Sequence, residues 1–201
     1  MISPRLRELI EAARNLLPEN EEWQMMNSMP RREPKRLTIE VPEDYRELLQ
    51  VTDGIGAGPV TVFGSKYVAQ NQTYTGPIEG TATVLDPETW FCFGSVDSDP
   101  LLIHRKTDAV HGFPESGVTW WQSSCFEQYA PNIDAFLTEH VFGPEYPNLV
   151  GETDDEWCHL LRRLVRLDWP LGIPAYTREA DGTGSRRECS SSMPLIAAPK
   201  P

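Results

Sequence analysis

The chain has no run of eighteen or more apolar residues among its 201, which predicts no membrane-spanning helix. It has no Gly-x-Ser-x-Gly elbow, no His-Glu-x-x-His and no phosphate loop ending in Gly-Lys-Ser/Thr. The common signatures of serine hydrolases, zinc proteases and P-loop nucleotide hydrolases are therefore missing. Its four cysteines, at positions 92, 125, 158 and 189, stand singly, whereas zinc sites bring cysteines in close pairs. Their even spacing invites a repeat, but the flanks Phe91-Cys92-Phe93, Ser124-Cys125-Phe126 and Trp157-Cys158-His159 share no pattern. The N-terminus lacks the apolar stretch and small-residue cleavage site of a signal peptide. A cytoplasmic protein with reduced thiols is the expectation, and the sequon Asn71-Gln72-Thr73 is read as coincidental.

Basic side chains are scarce in the middle. Residues 37–150 carry 4 basic and 16 acidic groups, whereas residues 1–36 and 151–201 are close to neutral. The whole net charge of −12 therefore belongs to the central block. Such a surface repels nucleic acid and attracts basic proteins, and the competing reading is that it only keeps the chain soluble.

What is present is helical at the two ends and strand-like between. Ser3 and Pro4 open a helix over residues 4–17, with Leu6, Leu9, Ile10, Ala13, Leu16 and Leu17 on one stripe. Its polar face is not basic enough for a membrane-surface helix, so packing on the domain is expected. Residues 18–36, broken by Pro18, Pro30 and Pro34, read as a linker. A short strand is expected at Leu37–Ile39, then a helix from Pro42 with Glu43 and Asp44 in its first turn and a stop at Asp53-Gly54. The glycines of Gly54-Ile55-Gly56-Ala57-Gly58 follow a helix rather than a strand, so they predict a turn and not a dinucleotide loop. After a strand at Val60–Phe63 and a polar loop over 65–81, strands are expected at Ala82–Leu85, Trp90–Ser95, Leu101–His104, Ala109–Gly112 and Val118–Trp121. Asp86-Pro87, Asp97 to Pro100 and Lys106 to Asp108 would supply the turns. Asn132 caps a helix bearing Ile133, Phe136, Leu137 and Val141, and Thr153-Asp154-Asp155-Glu156 opens a last one as a capping box. The fold class expected is α+β, a mostly antiparallel sheet of about five to six strands with helices mainly on one side. The organisation expected is an N-terminal helix and linker over 1–36, a domain over 37–142, a packed C-terminal helix over 143–170 and a disordered tail over 171–201.

Candidate chemistry is sparse. Asp97-Ser98-Asp99 with His104 and His111 downstream has the donors for a divalent cation, but Asp, Ser and Pro are equally what a tight turn uses. Cys125 beside Ser123 and Ser124 could be a nucleophile, yet no base is identifiable. Trp120-Trp121 is the better lead: adjacent strand residues face opposite ways, so one of them would face the core and the other solvent or a covering element. An exposed Trp ringed by carboxylates makes a protein-binding hot spot. Asp86, Glu88, Asp97, Asp99, Trp120 and Trp121 are the candidate partner-binding residues.

The helix Pro42 to Gly54, the stretch Trp90-Phe91-Cys92-Phe93-Gly94-Ser95, the turn Asp97 to Pro100 and the helix ending Asp134-Ala135-Phe136-Leu137 resemble the SUKH superfamily. They are most similar to its Smi/Knr branch, named for yeast cell-wall-synthesis regulators. The likeness covers residues 37–142, with Val41 where that branch has Leu and Asp53 where it has Asn. The resemblance implies an α+β domain, no catalytic residues and no cofactor or metal. It also implies that Pro42, Tyr45, Gly54, Trp90 and Gly94 define the fold. In bacteria such domains are commonly immunity proteins that bind and occlude a toxin, often a nuclease or deaminase; in fungi they are regulatory scaffolds. The expectation is a non-enzymatic binder of a basic toxin domain, contacting neither nucleic acid nor membrane. The alternatives are a regulatory scaffold, or a metal-dependent enzyme using Asp97, Asp99 and His104.

Overall fold

The apolar runs of the acidic central block pair with one another in the order in which the chain supplies them. In the computed structural model, which describes residues 1–31, 36–76, 85–114, 118–123, 125–151 and 154–166, six strands form one antiparallel meander. They are β1 (Ile55–Ala57), β2 (Val60–Val62), β3 (Trp90–Val96), β4 (Asp99–His104), β5 (Val110–Gly112) and β6 (Glu127–Ala130), lying side by side in that order. The expected α+β class holds. β3 and β4 are joined by two residues, Asp97 and Ser98, both with positive φ (48° and 79°). Two such residues in a row give the primed hairpin turn whose twist matches its strands, and Asp tolerates that region better than most side chains.

β1 occupies the stretch where glycines predicted a turn. Gly56 N–H donates to Ser28 C=O at 2.8 Å and Ser28 N–H to Gly56 C=O at 3.0 Å, so residue 28 forms a bridge along the outer edge of β1. A Cβ at Gly56 would lie 3.0 Å from the Ser28 hydroxyl oxygen. The glycine is there for close approach, a use the sequence pattern did not separate from turning. Val118–Trp121 and Leu37–Ile39, expected as strands, are turn and irregular backbone, and β6 was not foreseen. Of Ala82–Leu85 only Leu85 lies within the described residues, bridging Gly76. The expected tail over 171–201 lies outside them.

The helices are α1 (Pro4–Leu16), α2 (Glu21–Met26), α3 (Glu43–Val51), α4 (Ile133–Phe136), α5 (Tyr146–Val150) and α6 (Glu156–Arg166). Ser3 caps α1 through Leu6 N–H, and Asn132 caps α4 through Ala135 N–H at 2.9 Å, both as expected. α4 runs on as a π turn over Leu137–Val141. α2 falls inside the stretch read as linker, where Asn20 accepts from Glu22 N–H at 2.8 Å and starts it. α3 ends before its expected stop. Thr52 is the extended C-cap residue, and Gly54, at φ +102°, turns the chain into β1 rather than closing the helix. On α6 the cap is Asp155, which accepts from Cys158 N–H at 2.7 Å; the Thr153 expected for that role lies outside the described residues.

Strand register assigns the two faces of the sheet. Phe91 pairs with Ile103 and Gly94 with Leu101, and this face meets the helices. Tyr45 of α3 sets its ring 5.3 Å from Phe91 and 6.4 Å from Phe93, and Phe136 of α4 meets Phe93 edge-on at 5.9 Å. The Tyr45 hydroxyl donates to the Phe63 carbonyl, so its polar end is satisfied although the residue is fully buried. Each Phe so buried contributes about 1.5–3 kcal/mol of transfer free energy. The core runs from Ile2 and α1 to Leu164 of α6, where Trp157 donates its indole N–H to Val141 C=O at 2.7 Å.

The opposite face carries Trp90, Cys92, Leu102, His104 and His111. Among the described residues it is covered by a 3-10 turn at Gln70–Tyr74 and by Phe113, Trp120 and Phe126. β2 ends at Val62, leaving Cys92 of β3 without a strand neighbour on that side. Gln72 fills the place with its side-chain amide, accepting from Cys92 N–H at 3.2 Å and donating to Cys92 C=O at 2.7 Å. Cys92 and Cys158 are buried free thiols, and burial pushes each up to about 12. Cys125 is disulfide-bonded, which corrects the expectation of reduced thiols throughout.

Candidate functional site

Because the β3–β4 turn is only two residues long, Asp97 and Ser98 stand exposed at the hairpin tip and Asp99 begins β4 directly below. The tip leans on the β1–β2 turn, Asp97 N–H donating to Pro59 C=O at 3.2 Å. Asp99 reaches across to the covering segment, where its Oδ1 accepts from the backbone N–H of Trp120 at 3.2 Å. That contact fixes the tryptophan pair beside the carboxylates. Burial raises the Asp99 carboxyl above its ordinary value, the Trp120 N–H pulls it back, and the neighbouring charge of Asp97 raises it further.

Trp120 is buried against Tyr74 (6.0 Å) and Phe113 (5.7 Å), whereas Trp121 stands 41% exposed with its ring edge-on to Trp120 at 5.8 Å. One tryptophan is in and one is out, as alternation along a strand predicted, but here a turn does it. The aromatic contacts continue inward. Phe113 meets Phe126 at 4.9 Å, and Phe126 meets both Trp90 at 5.0 Å and His111 at 5.3 Å. Trp121 is thus the outer end of a packed aromatic row, backed by rings that cannot yield. A partly exposed indole on the turn that Asp99 holds can anchor a basic, partly apolar surface.

The other candidates lie elsewhere. Asp86 and Glu88 precede β3 at the far end of the hairpin, about 20 Å from the tip at the usual strand rise of about 3.3 Å per residue. Asp86 accepts from Thr89 Oγ1 at 2.7 Å and from Glu88 N–H at 3.1 Å, bonds that hold its carboxyl below its usual range and make it a turn former. His104 pairs with Trp90 at that same end, so it does not converge with Asp97 and Asp99 on one cation. Among the described residues no cluster of three or more His, Cys, Asp or Glu side chains could hold a metal, and no helix is long and apolar enough to cross a membrane.

The residues expected to define the fold occupy structural positions. Pro42 is the N-cap of α3, its carbonyl accepting from Arg46 N–H at 3.0 Å. Trp90 meets His104 and His111 edge-on at 5.0 and 4.9 Å. Gly94 leaves no space for a Cβ, which would fall 2.3 Å from the Thr61 carbonyl oxygen.

A concavity of about 520 Å³ opens over β1 and β2 and was not foreseen. Gly54, Gly56, Thr61 and Gly64 line it, residues with little side chain to signal a site, and Asp53 is the one charged side chain among the described lining residues. No protein-family model matches the chain, and a search of curated proteins finds none similar to it.

Proposed function

We propose that the chain is a non-enzymatic protein-binding module of the immunity type, which neutralises a basic toxin domain by covering its active cleft. The observation that carries this reading is the hairpin tip, where Asp99 holds the backbone N–H of Trp120 and Trp121 stands exposed with its ring against Trp120. Charge complementarity between the central acidic block and a basic cleft would speed encounter, and the indole would slow release. The likeness of the Tyr45 helix and the Trp90 strand to SUKH domains supports the same class, since binding there needs no catalytic group.

The test is to recover the native partner with the full chain and measure association against ionic strength. The association rate is expected to fall at least tenfold between low and physiological salt, and Trp121→Ala to accelerate dissociation. A salt-independent rate together with an unchanged dissociation rate would overturn the proposal. A partner without toxic activity would shift the reading to a regulatory scaffold of the Smi/Knr type.

A further inference from the structure

The sheet face opposite the helices is covered over β3 to β5, but over β1 and β2 the described residues leave it open. The paired positions Gly56 and Thr61 point outward there, and the concavity of about 520 Å³ lies above them. Its walls are of two kinds of chain. Met26 of α2, 61% exposed, stands on one side and Tyr67, 47% exposed, on the other. Asp53 is the one charged side chain among the described lining residues. One of its oxygens accepts from Ser65 N–H at 2.6 Å, and among the described residues no cation pairs with it. Lys66, next in sequence to Tyr67, holds its ammonium 4.8 Å from the centroid of the Tyr67 ring and forms no ion pair with Asp53.

We propose that this groove docks an extended segment of a partner protein, taking an arginine or lysine side chain onto Asp53 and the flanking apolar residues against Met26 and Tyr67. The chemistry narrows the occupant. An added strand is blocked, because Ser28 already bridges the outer edge of β1, so a peptide must be read through its side chains across the face. An anion would meet a carboxylate. A second copy of this chain would bring its own −12 to an acidic groove. A flexible methionine on one wall and an aromatic ring on the other suit apolar residues of varied shape, and the fixed carboxylate supplies the selectivity. The proposal rests on the reading of the chain as a binder of basic proteins, but it uses a different surface from the hairpin tip.

The experiment titrates the isotope-labelled full chain with the peptide amide ALRLA and with its counterpart carrying citrulline in place of arginine. The arginine peptide is expected to shift the amide resonances of Gly54, Gly56, Thr61, Gly64 and Asn71, and the citrulline peptide to bind at least tenfold more weakly. Asp53→Asn keeps an oxygen for Ser65 N–H, so it should leave the rest of the spectrum in place while removing the preference between the two peptides. Thr61→Trp, which fills the groove, should block both peptides. Trp121→Ala should change none of these results, so that failure here is distinguishable from failure of the hairpin-tip reading. Equal binding of the two peptides, no shifts at the groove residues, or shifts confined to the hairpin tip would overturn the proposal.

Discussion

The two faces of the sheet are built from different chemistry. Against the helices stand Phe91, Phe93, Leu101 and Ile103, closed over by Tyr45, whose hydroxyl is bonded, and by Phe136, on which Tyr129 and His140 stack. Against the irregular segments stand Trp90, His104 and His111, closed over by Phe126, Phe113 and Trp120. The first face buries Tyr45, Phe91, Phe93 and Phe136 completely. The second brings one of its row, Trp121, out to solvent beside carboxylates. Regular helices make the first face an efficient seal, and a seal offers a partner nothing to hold. Among the described residues, irregular chain leaves the second open over β1 and β2 and brings Trp121 to the surface.

Substitutions on the two faces should therefore separate stability from binding. Phe93→Ala on the helical face should cost about 3–5 kcal/mol, read as a drop in the denaturant midpoint, because the cavity lies where three elements meet. Gly94→Ala should cost about 1–3 kcal/mol by forcing β2 and β3 apart at the Thr61 carbonyl. Trp121→Ala should reverse the pattern. Stability should stay within about 0.5 kcal/mol of the parent. Affinity for the native partner should fall by about 2 kcal/mol, measured by calorimetry. A Trp121→Ala chain that unfolds as readily as Phe93→Ala would erase the distinction between the faces.

Two smaller effects concern protonation. Burial lowers His111 below its ordinary 6.5, and the neighbouring His104 lowers it further. Below pH 6.5 the unfolded chain then binds more protons than the native one. Stability from the neutral imidazole is complete above that pH and is lost as pH falls through the window beneath it. Thermal melts from pH 7.5 to 5 should show the loss, and His111→Phe should flatten it. Asp99 has the opposite sign, since its raised carboxyl pKa makes its charge unfavourable to the native state at neutral pH. Asp99→Asn, which keeps an oxygen for Trp120 N–H, should raise the melting temperature slightly at pH 7 and weaken partner binding. A lowered melting temperature would mean that the Asp99 charge is structural.

The elements most legible in the sequence were those with a strong local cause. Ser3 and Asn132 announced their helices, the stripe from Leu6 to Leu17 announced its buried side, and the turn expected over Asp97 to Pro100 is present but shorter, Asp99 and Pro100 already belonging to β4. The elements missed are those whose cause is distant. Gly56 looked like a turn glycine because Ser28, the residue that requires its missing side chain, lies 28 positions away. β6, with Glu127, Gln128, Tyr129 and Ala130, has a mixed pattern because it is an edge strand with only its last residue buried. Trp120 and Trp121 were the right pair for the wrong geometry, since a turn can divide two neighbours between inside and outside as well as a strand can. The groove was illegible because glycines carry no side chain to mark what they line.

Gln72 stands in for one residue of a strand that ends too soon. A side chain used in this way acts as a stopper. The main-chain groups it occupies would otherwise be an open template inside the sheet, ready to recruit any extended polypeptide. Losing the amide would cost more than two hydrogen bonds: it would turn the seam between β2 and β3 into a point of entry for strand invasion, and an aggregation hazard would appear at the centre of the sheet instead of at its edge. That one polar side chain thus closes the seam at Cys92, where β2 stops.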